Sequence, residues 1–408
     1  MRISTNQLYN QNVQAIMDNQ RKLTDTQEQL STGKRINRPS DDPVGAAKVI
    51  RLTEELDSIT QYKRNNDLYR SSLEQQETVL TSINSAMDRA RTLLQQANSG
   101  IVNDSDREAI GTELKQIRDE VLDLMNARDA DGDYIFAGHQ SQSEAFSFNP
   151  AGGANAVQYE GDSGNNQVKL SDSVTLKSTS NGRDLFANVL GKLDFSVVGS
   201  SGATVQSSDI NNQDSFDRFF NSNYDGGTPA NNDYRITLTG GGQAQLTQIS
   251  SGNVIDTVDF TSGEPFNVKG MSFTINGSPG DTVDFTLNTP EKKNIAQTLH
   301  DAYVALAVDK ESGAALQNSI EDAFAGIDNA RDNIALERSS IGGRLNVATS
   351  VYETNLDLEI AAKAARASIE DTDYAEASAE FAKQETALNA ALQTFPRISN
   401  LSLFNYIS

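Results

Sequence analysis

The chain has 408 residues, no cysteine or tryptophan, two histidines and a formal net charge of −22. That length leaves room for a sizeable core and two or three domains. Zero cysteine excludes a disulfide framework or zinc–thiolate site, and the acidic balance speaks against nucleic acid, whose phosphates need basic patches.

The N-terminus, Met1 to Asn6, lacks the apolar run of a cleavable signal, and no stretch is apolar enough to span a membrane. The expectation is a chain that stays in the cytosol or leaves by a route needing no such signal. Charge is uneven: residues 1–60 hold eight Lys/Arg against eight Asp/Glu, and residues 141–290 hold seven against sixteen. A balanced end can meet copies of itself without strong repulsion, whereas the acidic middle reads as solvated.

The first helix is expected from about Asn6 to Ser31, stopping near Gly33. Its apolar stripe is thin: Ile16, Leu23 and Leu30 recur at heptad spacing, with Asn12, Asn19 and Thr26 on the neighbouring seam. A turn-rich connector follows from Gly33 to Pro43. From Pro43 a long helix carries Leu52, Ile59, Asn66, Leu73, Leu80, Met87 and Leu94 at one heptad position. Tyr62, Tyr69, Ile83, Ala90 and Ala97 fill most of the second. At 1.5 Å per residue this is a rod on the order of 70 Å. Asn66 is a core amide of the kind that fixes register at some cost in stability. Gly100 breaks the rod, and Ser105 with Glu108 offers a capping box for the next helix, which carries Ile110, Leu114, Ile117, Val121 and Leu124.

Composition then shifts. Residues 141–290 contain 18 of the 28 glycines, and the apolar period becomes two. Tyr234, Ile236 and Leu238 alternate with polar neighbours, as do Val283, Phe285 and Leu287. Glycines 240–242 between two such runs signal a hairpin. Helix returns after Thr289-Pro290, read as a cap and a first-turn proline, with Ile295, Leu299 and Leu306 apolar. A second rod carries Ile320, Ile327, Ile334 and Ile341, continuing through Leu345, Tyr352 and Leu356, with the first rod as its natural partner. Asp373 and Glu376 start a terminal helix that Pro396 is expected to end. Its stripe, Phe381, Leu388 and Phe395, is as thin as the first. Either the two terminal stripes order fully when many copies come together, or they pack on the chain's own helices.

Chemistry-bearing motifs are scarce. His139 and His300 lie far apart and read as structural histidines. Asp129, Asp131 and Asp133 alternate like a calcium loop, but Tyr134 stands where glycine is required and Gln140 where a bidentate Glu belongs. An aspartate-rich turn is the better reading. There is no phosphate loop or nucleophile elbow, and Glu54-Glu55 reads as a solvated helix face. No enzyme, cofactor or metal site is expected. The connector differs: Lys34, Arg35 and Arg38 sit beside Asp41 and Asp42, a charge pattern suited to head-to-tail contact between copies. Either aspartate also suits a helix cap.

The run Leu30-Ser31-Thr32-Gly33-Lys34-Arg35-Ile36-Asn37-Arg38-Pro39-Ser40-Asp41-Asp42-Pro43 closely resembles the flagellin superfamily, and more narrowly the hook-associated protein 3 family. Flagellins proper share its first half but usually read Ala-Lys-Asp-Asp-Ala-Ala where this chain has Arg38 to Pro43. Tyr134 to Gly138 fits the narrower family. Ile341 to Asn346 and Ile369 to Glu376 match both relatives, and Leu401 to Ile407 favours the narrower one. The likeness covers roughly residues 1–140 and 290–408.

The order of elements itself gives an α+β fold, a discontinuous long-helix bundle built from both chain ends with an inserted antiparallel β-rich domain, and the resemblance implies that this bundle is flagellin-like. Its parts would be residues 1–40 (assembly helix and connector), 41–140 with 291–370 (bundle), 141–290 (insert) and 371–408 (C-terminal assembly helix). It implies a non-enzymatic junction subunit of the bacterial flagellum, forming a homo-oligomeric ring between another hook-associated protein and flagellin. It also implies type III export with a chaperone on the C-terminal helix, at Phe381, Leu388, Leu392 and Phe395. Subunit contacts would involve Ile16, Leu23, Leu30, Lys34, Arg35, Asn37, Arg38, Asp41 and Asp42 at the start. At the end they would involve Phe381, Leu388, Leu392, Phe395, Leu403 and Phe404. Neither nucleic acid nor membrane insertion is implied. Alternatives are a filament-forming flagellin, a secreted surface-binding protein whose acidic, threonine-rich β domain takes glycans, and a generic secreted coiled coil.

Overall fold

A computed structural model describes the backbone of residues 2–407 and the side chains of residues 7 and 9–394. The side chains of Phe395, Leu403 and Phe404, assigned above to assembly, lie outside the described residues. Among the described residues there are seven α-helices: α1 (Arg2–Thr32), α2 (Pro43–Ala97), α3 (Asp104–Met125), α4 (Gln213–Asn223), α5 (Ile295–Tyr303), α6 (Gly313–Glu370) and α7 (Tyr374–Ile407). The strands all fall between Phe146 and Lys293. This is the α+β architecture the sequence implied, long terminal helices flanking a β-rich insert.

The chain divides into two compact units. The first comprises Met1–Arg70, Val168–Leu176 and Leu345–Ser408, and the second Ser71–Gln167 and Lys177–Arg344. In the first, α2 and α6 meet through Lys63–Glu359 at 2.7 Å and through Asn66, whose Nδ2 donates to the Ala348 carbonyl at 2.8 Å. Asn66 is fully buried, and its Nδ2 is satisfied by that bond while its buried Oδ1 has no hydrogen-bond partner among the described residues. The segment Val168–Leu176 buries Leu170 completely, and Asn355 Nδ2 donates to the Leu170 carbonyl at 2.9 Å. Within the second unit the same helix pair continues through Arg91–Asp328 at 2.8 Å and Arg331–Asp88 at 2.7 Å. The pairing is antiparallel.

The apolar heptads explain this pairing. Ile59, Leu73, Leu80, Met87 and Leu94 of α2 are buried, as are Ile320, Ile327, Ile334 and Ile341 of α6. Beyond Ile341 the buried row differs from the expected one. It runs through Ala348, Asn355 and Ala362, whereas Leu345, Tyr352 and Leu356 are only partly covered. Small side chains and an amide keep the original heptad phase.

Three boundaries depart from the sequence reading. The cap of α3 is Asn103, whose side chain accepts from Asp106 N at 2.9 Å, and not Ser105 with Glu108. The cap of α5 is Asn294, accepting from Ala296 N at 2.8 Å, and not Thr289-Pro290. Between them Lys292–Lys293 pairs with Val189–Leu190 as a short antiparallel ladder, which delays the helix. Pro396 does not end α7. The helix runs on to Ile407, with Pro396 lacking the amide that would bond the Leu392 carbonyl.

The β core of the second unit is built from two sheets. Five antiparallel strands run in the order Val254–Asp259, Gln243–Gln248, Asp233–Thr239, Thr282–Leu287, Phe195–Ser201, and three in the order Pro265–Val268, Met271–Asn276, Thr204–Ile210. The expected hairpin turns at Gly241 and Gly242, whose φ values of +99° and +74° suit residues without a Cβ. Alternation does the rest: Tyr234, Ile236 and Leu238 are buried with Val283, Phe285 and Leu287. Tyr234 faces Phe285 in register and stacks on it at 5.5 Å. Helix α4 contributes Phe216, Phe219 and Phe220 to the same core.

Candidate assembly surface

Within the first unit, α1 and α7 pack along one another antiparallel. The residues that close this seam are small or polar. Thr26, Ala377 and Gln384 are buried. Thr26 Oγ1 donates to the Lys22 carbonyl at 2.9 Å and meets the Gln384 side-chain amide at 3.2 Å. The larger apolar residues are less covered. Ile16, Leu23, Leu30, Phe381 and Leu388 are only part-buried, while Met17 is 61% and Leu392 51% exposed. The chain's own helices therefore meet along the polar row of each stripe and leave the apolar row partly open.

The connector anchors this pair. Gly33 ends α1 with φ +72°, a value natural to glycine. A short bridge joins Lys34 to Asp371. Arg35 N donates to the Glu370 carbonyl at 2.6 Å and Thr372 N to the Gly33 carbonyl at 3.0 Å. The two turns that lead into α2 and α7 are thus hydrogen-bonded to each other. Asp373 caps α7, accepting from Ala375 N at 2.9 Å and Glu376 N at 3.2 Å.

Each basic residue of the connector has an acidic partner in its own chain. Lys34 Nζ lies 2.5 Å from Glu370, Arg35 3.6 Å from Asp42, and Arg38 3.1 Å from Glu28. Arg35 also donates to the Ile369 carbonyl at 2.7 Å. Asp41 Oδ2 accepts from Arg38 N at 2.8 Å and Asn37 N at 3.1 Å. The Arg38 amide, with that of Asn37 adding to it, holds the Asp41 carboxyl below its ordinary value. Asp42 caps α2 through Gly45 N at 2.9 Å. Sequence reasoning missed Glu28, Glu370 and Gln384. Nothing in the local pattern sets these three apart from the other polar positions of their helices.

Other sequence motifs are structural. Asp129 Oδ1 accepts from Asp131 N at 3.0 Å and Asp133 N at 2.9 Å, an aspartate-closed turn. Among the described residues no group of three or more His, Cys, Asp or Glu is placed to hold a metal ion. No helix among them is long and apolar enough to cross a membrane.

Two family models match the chain. Residues 3–141 match the bacterial flagellin N-terminal helical region, and residues 324–407 the bacterial flagellin C-terminal helical region. The flagellar hook-associated protein 3 of Salmonella typhimurium is 25% identical over 404 residues, 99% of each chain. The protein of the same name from Escherichia coli K12 is 30% identical over 209 residues, 48% of this chain and 66% of that one. Among solved structures, the flagellar hook associated protein-3 of Legionella pneumophila superposes with a TM-score of 0.57 at 20% identity, covering 78% of this chain and 97% of that one. That likeness carries the fold.

Proposed function

From the premise that this chain belongs to the hook-associated protein 3 family of the flagellin superfamily, we propose that its first compact unit is the surface through which it assembles. The chain is a structural, non-enzymatic subunit of the bacterial flagellum at the junction of hook and filament. The observation that carries the assembly reading is the division of labour along α1 and α7. A polar row closes the intrachain seam while Ile16, Leu23, Leu30, Phe381 and Leu388 stay part-covered and Met17 and Leu392 open. Val44, Ile50, Leu68, Leu358 and Ile360 of the same unit are exposed too. So many exposed apolar side chains mark a surface that other protein covers.

Under this reading copies form a ring, with another hook-associated protein on one side and flagellin on the other. Lys34, Arg35, Arg38, Asp41 and Asp42, with Asn37 bracing their turn, exchange some intrachain ion pairs for pairs between copies. The more exposed pairs, Arg35–Asp42 and Arg38–Glu28, are worth about 0–1 kcal/mol each, so exchanging them is nearly free, whereas Lys34 stays with the buried Glu370. Before assembly an export chaperone covers the α7 face at Phe381, Leu388, Leu392 and Phe395, with Leu403 and Phe404 joining the subunit contacts. Residues 1–40 and 371–408 then act as assembly segments, 41–140 with 291–370 as the bundle, and 141–290 as the insert.

The test is genetic. A strain lacking this gene should release flagellin monomers into the medium instead of holding them in a filament. Normal filaments and motility in that strain would refute the reading.

A further inference from the structure

The second unit contains a buried cation that leans on a histidine. Arg118 of α3 has a side chain only 3% exposed. Its Nη2 and Nε donate to Asp119 Oδ1 at 2.5 and 3.0 Å, and its guanidinium carbon sits 4.2 Å from the Phe148 ring centroid. On its remaining side, Nη1 lies 2.9 Å from Nδ1 of His300 on α5. His300 is itself buried, and its ring meets Phe148 edge-on at 5.4 Å.

Proton inventory fixes the roles. A guanidinium has donors and no acceptor, so His300 Nδ1 must be the acceptor, and the ring is neutral with its proton on Nε2. Protonating Nδ1 would remove that acceptor and set an imidazolium against a guanidinium in a nearly dry pocket. From the geometry we infer that His300 and Arg118 form a proton-sensitive fastener joining α3 to α5, closed when the imidazole is neutral and opened by acid.

The surrounding charges do not reverse this. On α3, Asp119 is already committed to Arg118, and Lys115 lies 5.8 Å from the Tyr303 ring, adding positive charge nearby. On α5, Asp301 accepts from Lys293 Nζ at 2.6 Å and from Gln297 Nε2 at 2.6 Å. The other rings packed on His300 are those of Phe148 and Tyr303. Burial, followed by the Arg118 charge, accordingly pushes the His300 pKa below its ordinary 6.5, against the weaker pull of Asp301 and Asp119. The unfolded chain therefore binds the proton more readily than the folded one. The fastener's contribution is whole above about pH 6.5 and is lost as the pH falls from there toward the folded value.

The test uses the full chain, whose two histidines give two resolvable imidazole signals. Nitrogen NMR of His300 should show an unprotonated Nδ1, a protonated Nε2 and a titration midpoint below 6.5. An Nδ1–H tautomer, or a midpoint at or above 6.5, would overturn the inference. In parallel, the thermal midpoint of the second unit should fall between pH 7 and pH 5. His300→Gln, which keeps an acceptor for Arg118 but cannot titrate there, should lose that dependence, and His139→Gln should retain it. Equal pH dependence in His300→Gln and the wild type would equally overturn it. Should His300→Gln fail to fold, the tautomer and midpoint of the unmodified chain still decide.

Discussion

Replacing Gln76 with alanine should loosen the second unit at one identifiable place. Gln76 is fully buried on α2. Its Nε2 donates to the Ser178 carbonyl at 2.7 Å, and its Oε1 accepts from Ser180 N at 3.1 Å. Ser178 and Ser180 are buried as well, so truncation leaves a donor and an acceptor dry and unpaired. At about 1–3 kcal/mol for each orphan, the segment 178–180 loses about 2–6 kcal/mol of protection. Since about 1.4 kcal/mol is a factor of ten, exchange of the Ser180 amide should accelerate by about 30-fold or more. Gln76→Leu restores volume without hydrogen bonds and should behave like alanine. Native-state hydrogen exchange resolves that amide directly. Acceleration below about threefold in both variants would show that the side chain does not hold the segment, and the reasoning would fail.

Met17→Ser combined with Leu392→Ser should leave the isolated chain's thermal midpoint nearly unchanged, because both residues are more than half exposed. Covering the exposed share of two such side chains is worth about 1–2 kcal/mol each, so the pair should visibly reduce filament retention; unchanged swimming would remove these residues from the contact. Glu359 is held down to about 2, first by the hydrogen bond from Lys363 and then by that from Lys63. Its contribution to joining α2 and α6 is therefore present above its ordinary 4.5 and lost as the pH falls from 4.5 toward 2. Carbon NMR of that carboxyl in Lys63→Met should show the midpoint moving up, and an unmoved midpoint would deny the tie. Gly33→Ala places a Cβ 2.9 Å from the Tyr374 hydroxyl at φ +72°. The backbone strain of about 1–2 kcal/mol should lower the melting point of the first unit, and an unchanged value would mean the turn tolerates an L-residue.

The rods were legible because local repetition encodes them. Leu73, Leu80 and Ile83 needed only their own heptad, and the hairpin at Gly241-Gly242 only its glycines. What stayed hidden depended on distant chain. Gln76 was the gap in the second seam of α2, and nothing nearby says that residues 178–180 fill it. The cap of α5 moved to Asn294 because Lys292–Lys293 is recruited by Val189–Leu190, a hundred residues upstream. At α3, Asn103, Asp104 and Ser105 are all competent caps, so composition could not choose among them. The connector's charges were legible as a cluster, but their partners Glu28 and Glu370 were not, since each sits on a helix among many similar acids.

The polar row between α1 and α7 also has a thermodynamic meaning. Had leucines occupied Thr26, Ala377 and Gln384, the two helices would satisfy their apolar surface on each other. Joining a ring would then cover little more. With small and polar residues there, the intrachain seam is weak, and most of the unclaimed burial energy rests with Met17, Leu392 and the part-covered stripes. An isolated subunit keeps its terminal helices paired at modest stability, and copies gain by covering what remains. A seam worth little inside one molecule is easily opened, and under the proposed assembly contacts between copies would take over the surface it releases.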